Sequence, residues 1–458
     1  MKPIHIFLLI LILINITFVF FQCSRIIHHL STRQLNSLLH ENSDEEAHVI
    51  GKFVDGKGPL AMKVVIPEGE PQHSHEPQRA SPRLSKQDMN QPGAATNSNP
   101  PPSQPTLSQR DQFFAKQQQA LPHLYESCQY QALEAFLKLQ HHKIEPRKEP
   151  IKIYDGFTFN NEFEMLEVRL RTLSSVVDYF VIVEAPLSFQ NKPKPLHFKN
   201  KIEEGWNVFE EFKHQILHVV VESKPPIFEY WENEVHFRNA IGTEGLAIVA
   251  MDRPETRPQD TDIILVTDVD EIVHPDVLGM FKYLDGWPQQ LYRVQMRWTY
   301  YNYLWENQGK SWKMCVGVTW GALKNAKKEA NQVRYNCLGL ENLPTQVLDV
   351  IPQDVHQCHA GWHCSSCMHF SKFHSKVSSF AHSEHMEDFE KNQSRLEEFV
   401  REGIWYQSGK RQGVYISPED LSETAIPNWL REEGAKVHPF LLPEEKPRRI
   451  ANDIWSST

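Results

Sequence analysis

The spacing of apolar residues alternates between extended and helical patterns along residues 125–267. Alternating or continuous apolar runs predict four strands, at 152–159, 176–184, 214–221 and 262–267. Apolar residues three and four positions apart predict helices at 125–142, 162–173 and 231–250. Because helices separate successive strands, the pattern predicts an α/β fold with a mainly parallel sheet and flanking helices.

The fourth predicted strand is the most apolar, and acidic residues follow it directly. It contains Ile263-Ile264-Leu265-Val266-Thr267 and continues into Asp268, Asp270 and Glu271. A strand as apolar as this is expected in the centre of the sheet. Side chains two residues apart in an extended segment point the same way, so Asp268 and Asp270 can converge.

The convergence of these two carboxylates points to a metal site. Two adjacent carboxylates repel each other unless a cation neutralises them, and their oxygen atoms favour Mg²⁺ or Mn²⁺. An ion held there can bridge the diphosphate of a nucleotide sugar and neutralise the charge that grows as the nucleoside diphosphate leaves. The pattern favours this interpretation over a solvated turn at the end of the strand.

Further candidates follow from the positions of the other strand ends. Ligands of parallel sheets bind beyond the carboxyl ends of the strands, which places Asn161 and Glu184 on the same rim as the two aspartates. Glu184 can accept hydrogen bonds from a base or a ribose, although an ordinary loop acid is the alternative. Arg238 and Asn239 lie on the helix predicted before the fourth strand, where a surface ion pair is the alternative for Arg238.

The N-terminus contains a nearly continuous apolar run from Ile4 to Phe21. Its length is at the short end of what crosses a bilayer, and a short span suits a Golgi membrane. A cleaved signal peptide is the less favoured alternative, because no small residues suitable for cleavage follow the run. The prediction is a single-pass type II membrane protein whose catalytic domain is lumenal.

Three regions are predicted along the chain. Residues 1–25 form a cytoplasmic tip and transmembrane anchor, residues 26–145 a largely disordered stem, and residues 146–458 the catalytic domain. The stem contains a stretch rich in Pro, Ser, Gln and Asn, a composition that buries too little apolar surface to fold. The 458 residues carry a formal net charge of -10 without a long basic run, which argues against nucleic acid as a partner.

Cysteine and histidine residues cluster between Cys358 and His374. A structural zinc site would use them as ligands, but cysteines in a lumenal protein more often form disulfides. We expect Cys364 to be oxidised. Cys364 and Cys367 are close enough in sequence to pair with each other, with Cys337 or with Cys358.

Six separated stretches resemble glycosyltransferase family 17, the bisecting N-acetylglucosaminyltransferase group. They are residues 161–169, 177–184, 194–198, 268–272, 296–301 and 360–367, and the Gly-Trp-His-Cys-Ser-Ser-Cys run at 361–367 is the most specific. The resemblance implies a GT-A-like, Rossmann-type domain and an inverting, metal-dependent enzyme. It further implies transfer of N-acetylglucosamine from UDP-GlcNAc to a mannose of a glycoprotein N-glycan, in a β-1,4 linkage.

The resemblance also implies roles for individual residues. Asp268 and Asp270 would hold the metal ion, and Glu184, Arg238 and Asn239 would line the donor nucleotide. Three stretches, at 157–160, 185–190 and 318–345, do not follow the vertebrate bisecting enzymes closely. The acceptor can therefore differ from theirs.

The remaining site candidates are Asn161 and Glu162 for the donor, Lys376 for the diphosphate, His363 for the metal and Glu384 as the base. Inverting transfer needs a base to take the proton of the acceptor hydroxyl, and the two aspartates would be occupied by metal. For Glu384, a surface acid on a helix is the alternative. Alternatives for the whole chain are a related enzyme with another donor or acceptor, a non-catalytic glycan-binding protein and a zinc-dependent lumenal module.

Overall fold

The computed structural model describes residues 108–139, 143–221, 230–287, 291–307, 310–335, 347–349, 358–369, 372–379, 390 and 393–444. The predicted membrane anchor lies outside these residues, as does the predicted stem up to residue 107. Within the described part of the chain, no helix has the length and apolar character needed to cross a membrane.

The described secondary structure is numbered in chain order. The helices are α1 (Gln109–Glu126), α2 (Cys128–Leu139), α3 (Phe163–Leu173), α4 (His197–Glu203), α5 (Asn207–Phe212), α6 (Tyr230–Ala240), α7 (Pro275–Tyr283), α8 (Trp320–Asn325), α9 (Ala330–Tyr335), α10 (Phe373–Val377), α11 (Leu396–Glu402) and α12 (Ala435–Val437). The strands are β1 (Glu145–Pro146), β2 (Ile153–Thr158), β3 (Tyr179–Glu184), β4 (Ile216–Val220), β5 (Ile263–Asp268), β6 (Glu271–Val273), β7 (Leu284–Asp285), β8 (Leu291–Tyr300), β9 (Trp305–Asn307), β10 (Trp312–Thr319), β11 (Val347–Asp349), β12 (Gly361–Ser365), β13 (Ile404–Trp405), β14 (Lys410–Arg411) and β15 (Gly413–Tyr415).

Eleven of the described strands form one mixed sheet in which β5 is the point where the strand direction changes. On one side, β2, β3 and β4 follow β5 in parallel, in the order β5-β2-β3-β4. On the other side, β10 is antiparallel to both β5 and β8, and β8 also pairs in parallel with β11 and β12. The α/β class and the four predicted strands are confirmed. The prediction of a mainly parallel sheet holds for the half from β5 to β4 and fails for the half that contains β8 and β10.

The apolar sequence of β5 is explained by burial on both faces of the sheet. Ile263 and Leu265 pack into the larger core cluster, and Ile264 and Val266 pack into the smaller one. The larger cluster includes residues of α3, and the smaller one includes residues of α6. A strand covered on both faces has no polar face to present to water, which accounts for its continuous apolar run.

Two helices, α1 and α2, lie within residues 26–145, the range predicted to form the stem. Leu124 of α1 is buried and contacts Gly279 of α7, and the Gln117 amide donates to the Tyr283 carbonyl at 2.9 Å. A disulfide joins Cys128 to a cysteine 230 residues away. Phe113 and Leu124 of α1 belong to the larger core cluster, so this helix packs through apolar as well as polar contacts.

Candidate active site

A cavity of about 400 Å³ lies beyond the carboxyl ends of β2, β3 and β5. Thr158, Glu184 and Asp268 line it from those three strands. The opposite side of the cavity is lined by residues of β8, β10 and β12. Strand ends from both halves of the mixed sheet therefore meet at one concave surface.

Asp268 ends β5 and is held between two arginines. Its Oδ1 accepts a hydrogen bond from Arg238 Nη2 at 3.0 Å, and its Oδ2 accepts one from Arg334 Nη2 at 3.2 Å. Burial by itself would raise the pKa of Asp268, but Arg334 and Arg238 hold it well below its usual range. Asp268 is therefore ionised at every physiological pH.

Asp270 lies in the turn between β5 and β6 and faces a third cation. Its Oδ2 accepts a hydrogen bond from Lys376 Nζ at 3.2 Å, and its Oδ1 lies 3.9 Å from His363 Nε2. Burial would lower the pKa of Lys376, but Asp270 and Glu162 raise it above its usual range. The lysine remains charged and is the cation closest to Asp270 among the described residues.

Arg169 of α3 holds the backbone of the turn that carries both aspartates. Its Nη1 donates to the carbonyl oxygens of Asp268 at 2.8 Å, Val269 at 3.2 Å and Glu271 at 2.8 Å. Its Nε donates to Asp155 of β2 at 2.7 Å. No role for Arg169 was predicted from the sequence. Its position on the apolar side of the helix predicted at 162–173 could have indicated a buried arginine with partners inside the fold.

Arg334 is the second residue that the sequence analysis missed. Its guanidinium forms a bidentate pair with the fully buried Glu271 and also reaches Asp268. Glu271 Oε1 in turn accepts a hydrogen bond from Trp312 Nε1 at 2.8 Å. Arg334 lies on α9, in a segment for which the apolar pattern predicted no element, so no local signal marked it.

Glu184 lines the cavity, but the chain itself uses most of its capacity to accept hydrogen bonds. Its oxygens accept from the backbone N–H groups of Phe198 at 3.1 Å and Lys199 at 2.9 Å, and Oε1 lies 2.7 Å from His218 Nε2. Burial would raise the pKa of Glu184, but His218 and the two N–H groups lower it. The carboxylate thus fixes the first turn of α4 against the sheet.

The other predicted residues divide into two groups. Glu162 lines the cavity and accepts hydrogen bonds from the backbone N–H groups of residues 160 and 161. Asn161 is buried beside it. Asn239 instead accepts a hydrogen bond from the Asn331 N–H at 2.9 Å, which joins α6 to α9, and it is absent from the described cavity lining. Glu384 lies outside the described residues.

The fit of a metal ion can be judged from the side chains around the aspartates. Within the described ranges, no group of three or more His, Cys, Asp or Glu residues is arranged to hold one. The cavity lining nevertheless has six carboxylates and four lysine or arginine cations, a surplus of two negative charges that a divalent ion would neutralise. They are Glu162, Glu184, Glu234, Asp268, Asp270, Glu271, Lys194, Arg238, Arg334 and Lys376. The charge balance fits Mg²⁺ or Mn²⁺ that takes its other ligands from a bound diphosphate.

The cysteines near the cavity are oxidised. Cys364 is joined to Cys367, and Cys358 is joined to Cys128. The expectation that Cys364 is oxidised is confirmed, and of its possible partners the structure selects Cys367. These three cysteines of the Cys/His segment are therefore not free to bind zinc as thiolates.

The sequence is similar to one protein family and to several curated proteins. Residues 112–335 match the model of glycosyltransferase family 17. The human protein named β-1,4-mannosyl-glycoprotein 4-β-N-acetylglucosaminyltransferase is 25% identical over 331 residues, which are 68% of this chain and 59% of the relative. The rat protein of the same name is 25% identical over 296 residues, which are 61% of this chain and 52% of the relative.

The chain therefore spans a little over half the length of the curated relatives it matches. A mouse protein of the same name is 24% identical over a segment of the same length as in the rat protein. The matched family range begins within α1 and contains α2 and the Asp268–Asp270 turn. Residues 112–335 thus match a glycosyltransferase family 17 domain, and the three relatives that resemble this chain carry the name of a transferase enzyme.

Proposed function

We propose that this chain transfers N-acetylglucosamine from UDP-GlcNAc to a mannose of a glycoprotein N-glycan, with inversion and in a β-1,4 linkage. The names of the human, rat and mouse relatives support the sugar and the acceptor. The observation that carries the proposal is the pair Asp268 and Asp270, which lies with four lysine or arginine cations in one cavity at the strand ends. A GT-A-like arrangement of the parallel half of the sheet is part of the proposal.

The cations of the cavity are suited to a diphosphate. Lys376 lies between Asp270 and Glu162, where it can face a leaving phosphate group and stabilise its negative charge. Arg238 and Arg334 keep Asp268 ionised and fix its orientation. A Mg²⁺ or Mn²⁺ ion held by Asp268 and Asp270, with His363 beside them, would neutralise the charge of the donor diphosphate.

Glu162 and Glu184 have separate tasks on the donor side. Glu162 borders the donor at the end of β2, where ligands of open α/β sheets bind, and Asn161 supports it from a buried position outside the cavity lining. Glu184 supports the same rim indirectly, because it holds the first turn of α4. Glu384 remains our candidate for the base that takes the proton of the acceptor hydroxyl.

The cellular setting is also a proposal. The apolar run 4–21 would anchor the chain in the Golgi membrane as a type II protein, with the domain from α1 onward in the lumen. The two disulfides support a location in an oxidising compartment.

The metal assignment is tested with Asp270→Ala in a soluble chain that begins at residue 107. We expect transfer from UDP-GlcNAc to fall by at least about a hundredfold, the scale at which loss of one charge-stabilising group acts. The melting temperature is measured alongside, because Asp270 is buried and its loss removes a partner of Lys376. Asp252→Ala, which alters an exposed aspartate outside the cavity, is the matched control. Unchanged turnover of Asp270→Ala in excess Mn²⁺ contradicts the assignment, and a panel of nucleotide sugars identifies the donor.

A further inference from the structure

The two sides of the cavity differ in chemistry. Toward β2 and β3 it is lined by charged groups such as Glu162 and Lys194, and toward β8 and β10 by the indole rings of Trp298 and Trp312. Trp405 lines it near the same side, since its ring lies 4.6 Å from that of Tyr300 at the end of β8. We call Trp298, Trp312 and Trp405 the tryptophan wall.

Each indole N–H of the tryptophan wall already has a partner within the protein. Trp298 Nε1 donates to Ser365 Oγ at 2.8 Å, and Trp312 Nε1 donates to Glu271 Oε1 at 2.8 Å. Trp405 Nε1 donates to Gln407 Oε1 at 3.0 Å. All three rings are half-buried. What they offer to a ligand is therefore ring carbon surface and not hydrogen-bond donors.

The wall is also held rigidly. The ring centroids of Trp298 and Trp312 are 5.1 Å apart, and the Glu271 that holds Trp312 is itself clamped by Arg334. Ser365, which orients Trp298, lies inside the loop closed by the Cys364–Cys367 disulfide. Fixed aromatic surfaces lose little conformational entropy when a ligand binds, so they suit recognition.

These surfaces match one chemical class of ligand. A pyranose ring has a face of C–H groups and a rim of hydroxyls, so it can lie flat on ring carbons while its hydroxyls reach polar groups nearby. A uracil base could stack as well, but nucleotides in open α/β sheets bind where the strand order reverses, between β2 and β5. The wall lies on the other side of β5 from that crevice.

We propose that the tryptophan wall is the subsite for the acceptor sugar and that Trp298 and Trp312 determine how tightly the glycan binds. This inference rests on the proposed function for its assignment of the opposite side to the donor. The sugar stacks on the indole carbons, and its reacting hydroxyl is directed toward the Asp268–Asp270 turn. Ser365 acts as a positioning residue, because it turns the Trp298 ring.

The test compares Trp298→Leu and Trp312→Leu, which keep apolar bulk and remove the flat ring, with the wild type. We expect the KM for the glycan acceptor to rise about tenfold, the scale of one lost aromatic stacking contact. In Trp298→Leu the KM for UDP-GlcNAc and the slow hydrolysis of UDP-GlcNAc without acceptor stay within twofold. Trp312→Leu also removes a hydrogen bond to Glu271, so for this variant only the acceptor KM is compared. Trp429→Leu, at a half-buried tryptophan outside the cavity, is the matched control and leaves both KM values unchanged.

Ser365→Ala gives a finer readout of positioning. It removes the oxygen that holds Trp298 Nε1, which also lies 3.2 Å from His363 Nε2, and leaves the Trp298 ring in place. We expect the acceptor KM to rise, and an unchanged KM for UDP-GlcNAc shows that the contact with His363 does not cause the effect. A rise in the KM for UDP-GlcNAc in the Trp298→Leu variant would mean that the wall binds the nucleotide. An unchanged acceptor KM in both leucine variants would mean that the wall only supports the fold.

Binding without turnover separates this inference from the proposed function. Tryptophan fluorescence of the wild type is titrated with a soluble biantennary N-glycan in the absence of any nucleotide sugar. Binding that Trp298→Leu weakens about tenfold supports the subsite even if no nucleotide sugar is consumed. A wild-type protein that turns over UDP-GlcNAc but whose glycan affinity is the same as that of Trp298→Leu overturns it. Absence of any glycan binding also overturns it.

Discussion

The contacts of Arg169 allow the cost of losing one buried ion pair to be worked out. Arg169 and Asp155 both have side chains that are 0% exposed, and the guanidinium also serves three backbone carbonyls of the aspartate turn. Arg169→Met keeps the aliphatic stem and leaves Asp155 as an unpaired charge. Removing one partner of a buried pair costs about 3–5 kcal/mol, and each lost hydrogen bond adds about 1 kcal/mol.

Such a loss is comparable with the total stability of a domain, which is about 5–15 kcal/mol. We therefore expect urea unfolding, followed by tryptophan fluorescence, to move to a much lower midpoint. Arg411→Met is the control, because Arg411 forms an exposed pair with Glu402, and such pairs contribute about 0–1 kcal/mol. The double variant Arg169→Met/Asp155→Asn removes the stranded charge and regains part of the loss. An Arg169→Met midpoint equal to that of the control would refute this reasoning.

Three further outcomes are expected elsewhere in the domain. A chain that begins at residue 107 is expected to stay soluble in gel filtration. A chain that begins at residue 143 lacks α1 and α2, exposes the surface under them and is expected to aggregate. Equal elution of the two chains would place these helices outside the domain. Burial lowers the pKa of His274 to about 4, so its stabilising contribution is complete above its unfolded pKa of 6.5 and is lost as the pH falls toward 4. The melting temperature of the wild type should therefore fall between pH 6.5 and pH 4 by more than that of His274→Asn, which lacks the titrating group. Replacing Cys128 and Cys358 by alanine lowers the unfolding free energy by about 2–4 kcal/mol in urea, and an unchanged midpoint would argue against the bond.

The parallel half of the sheet could be predicted because its strands are buried on both faces or alternate regularly. The apolar run of β5 and the helical spacing of α3 are local signals, and the structure places both elements within two residues of the predicted bounds. The antiparallel half carries weaker signals. β8 contains Arg293, Gln295 and Arg297 at alternate positions, and Arg297 is buried through contacts with Glu306 and the Tyr303 carbonyl. Such a strand depends on distant partners, which no local pattern shows.

The candidate site shows the same division. The sequence places the acidic pair at a strand end, because an apolar strand followed by Asp-x-Asp is a local pattern. It gives no sign of Arg334, which lies 66 residues beyond Asp268 and meets it only through folding. The position of Glu184 at the rim could be predicted from the end of its strand. Its hydrogen bonds from the backbone N–H groups of Phe198 and Lys199 could not, because these residues are distant in sequence.

The change of strand direction at β5 has a consequence for how this domain can be altered by evolution or by engineering. β5 shares its two edges between β2, which belongs to an earlier stretch of sequence, and β10, which belongs to a later one. An insertion or exchange in the later stretch leaves the pairing of β2 with β5 intact. On the proposed assignment of Trp298 and Trp312 to the acceptor, we expect an exchange of residues 291–319 between relatives to change the glycan preference and to leave the donor side at β2 and β5 unchanged.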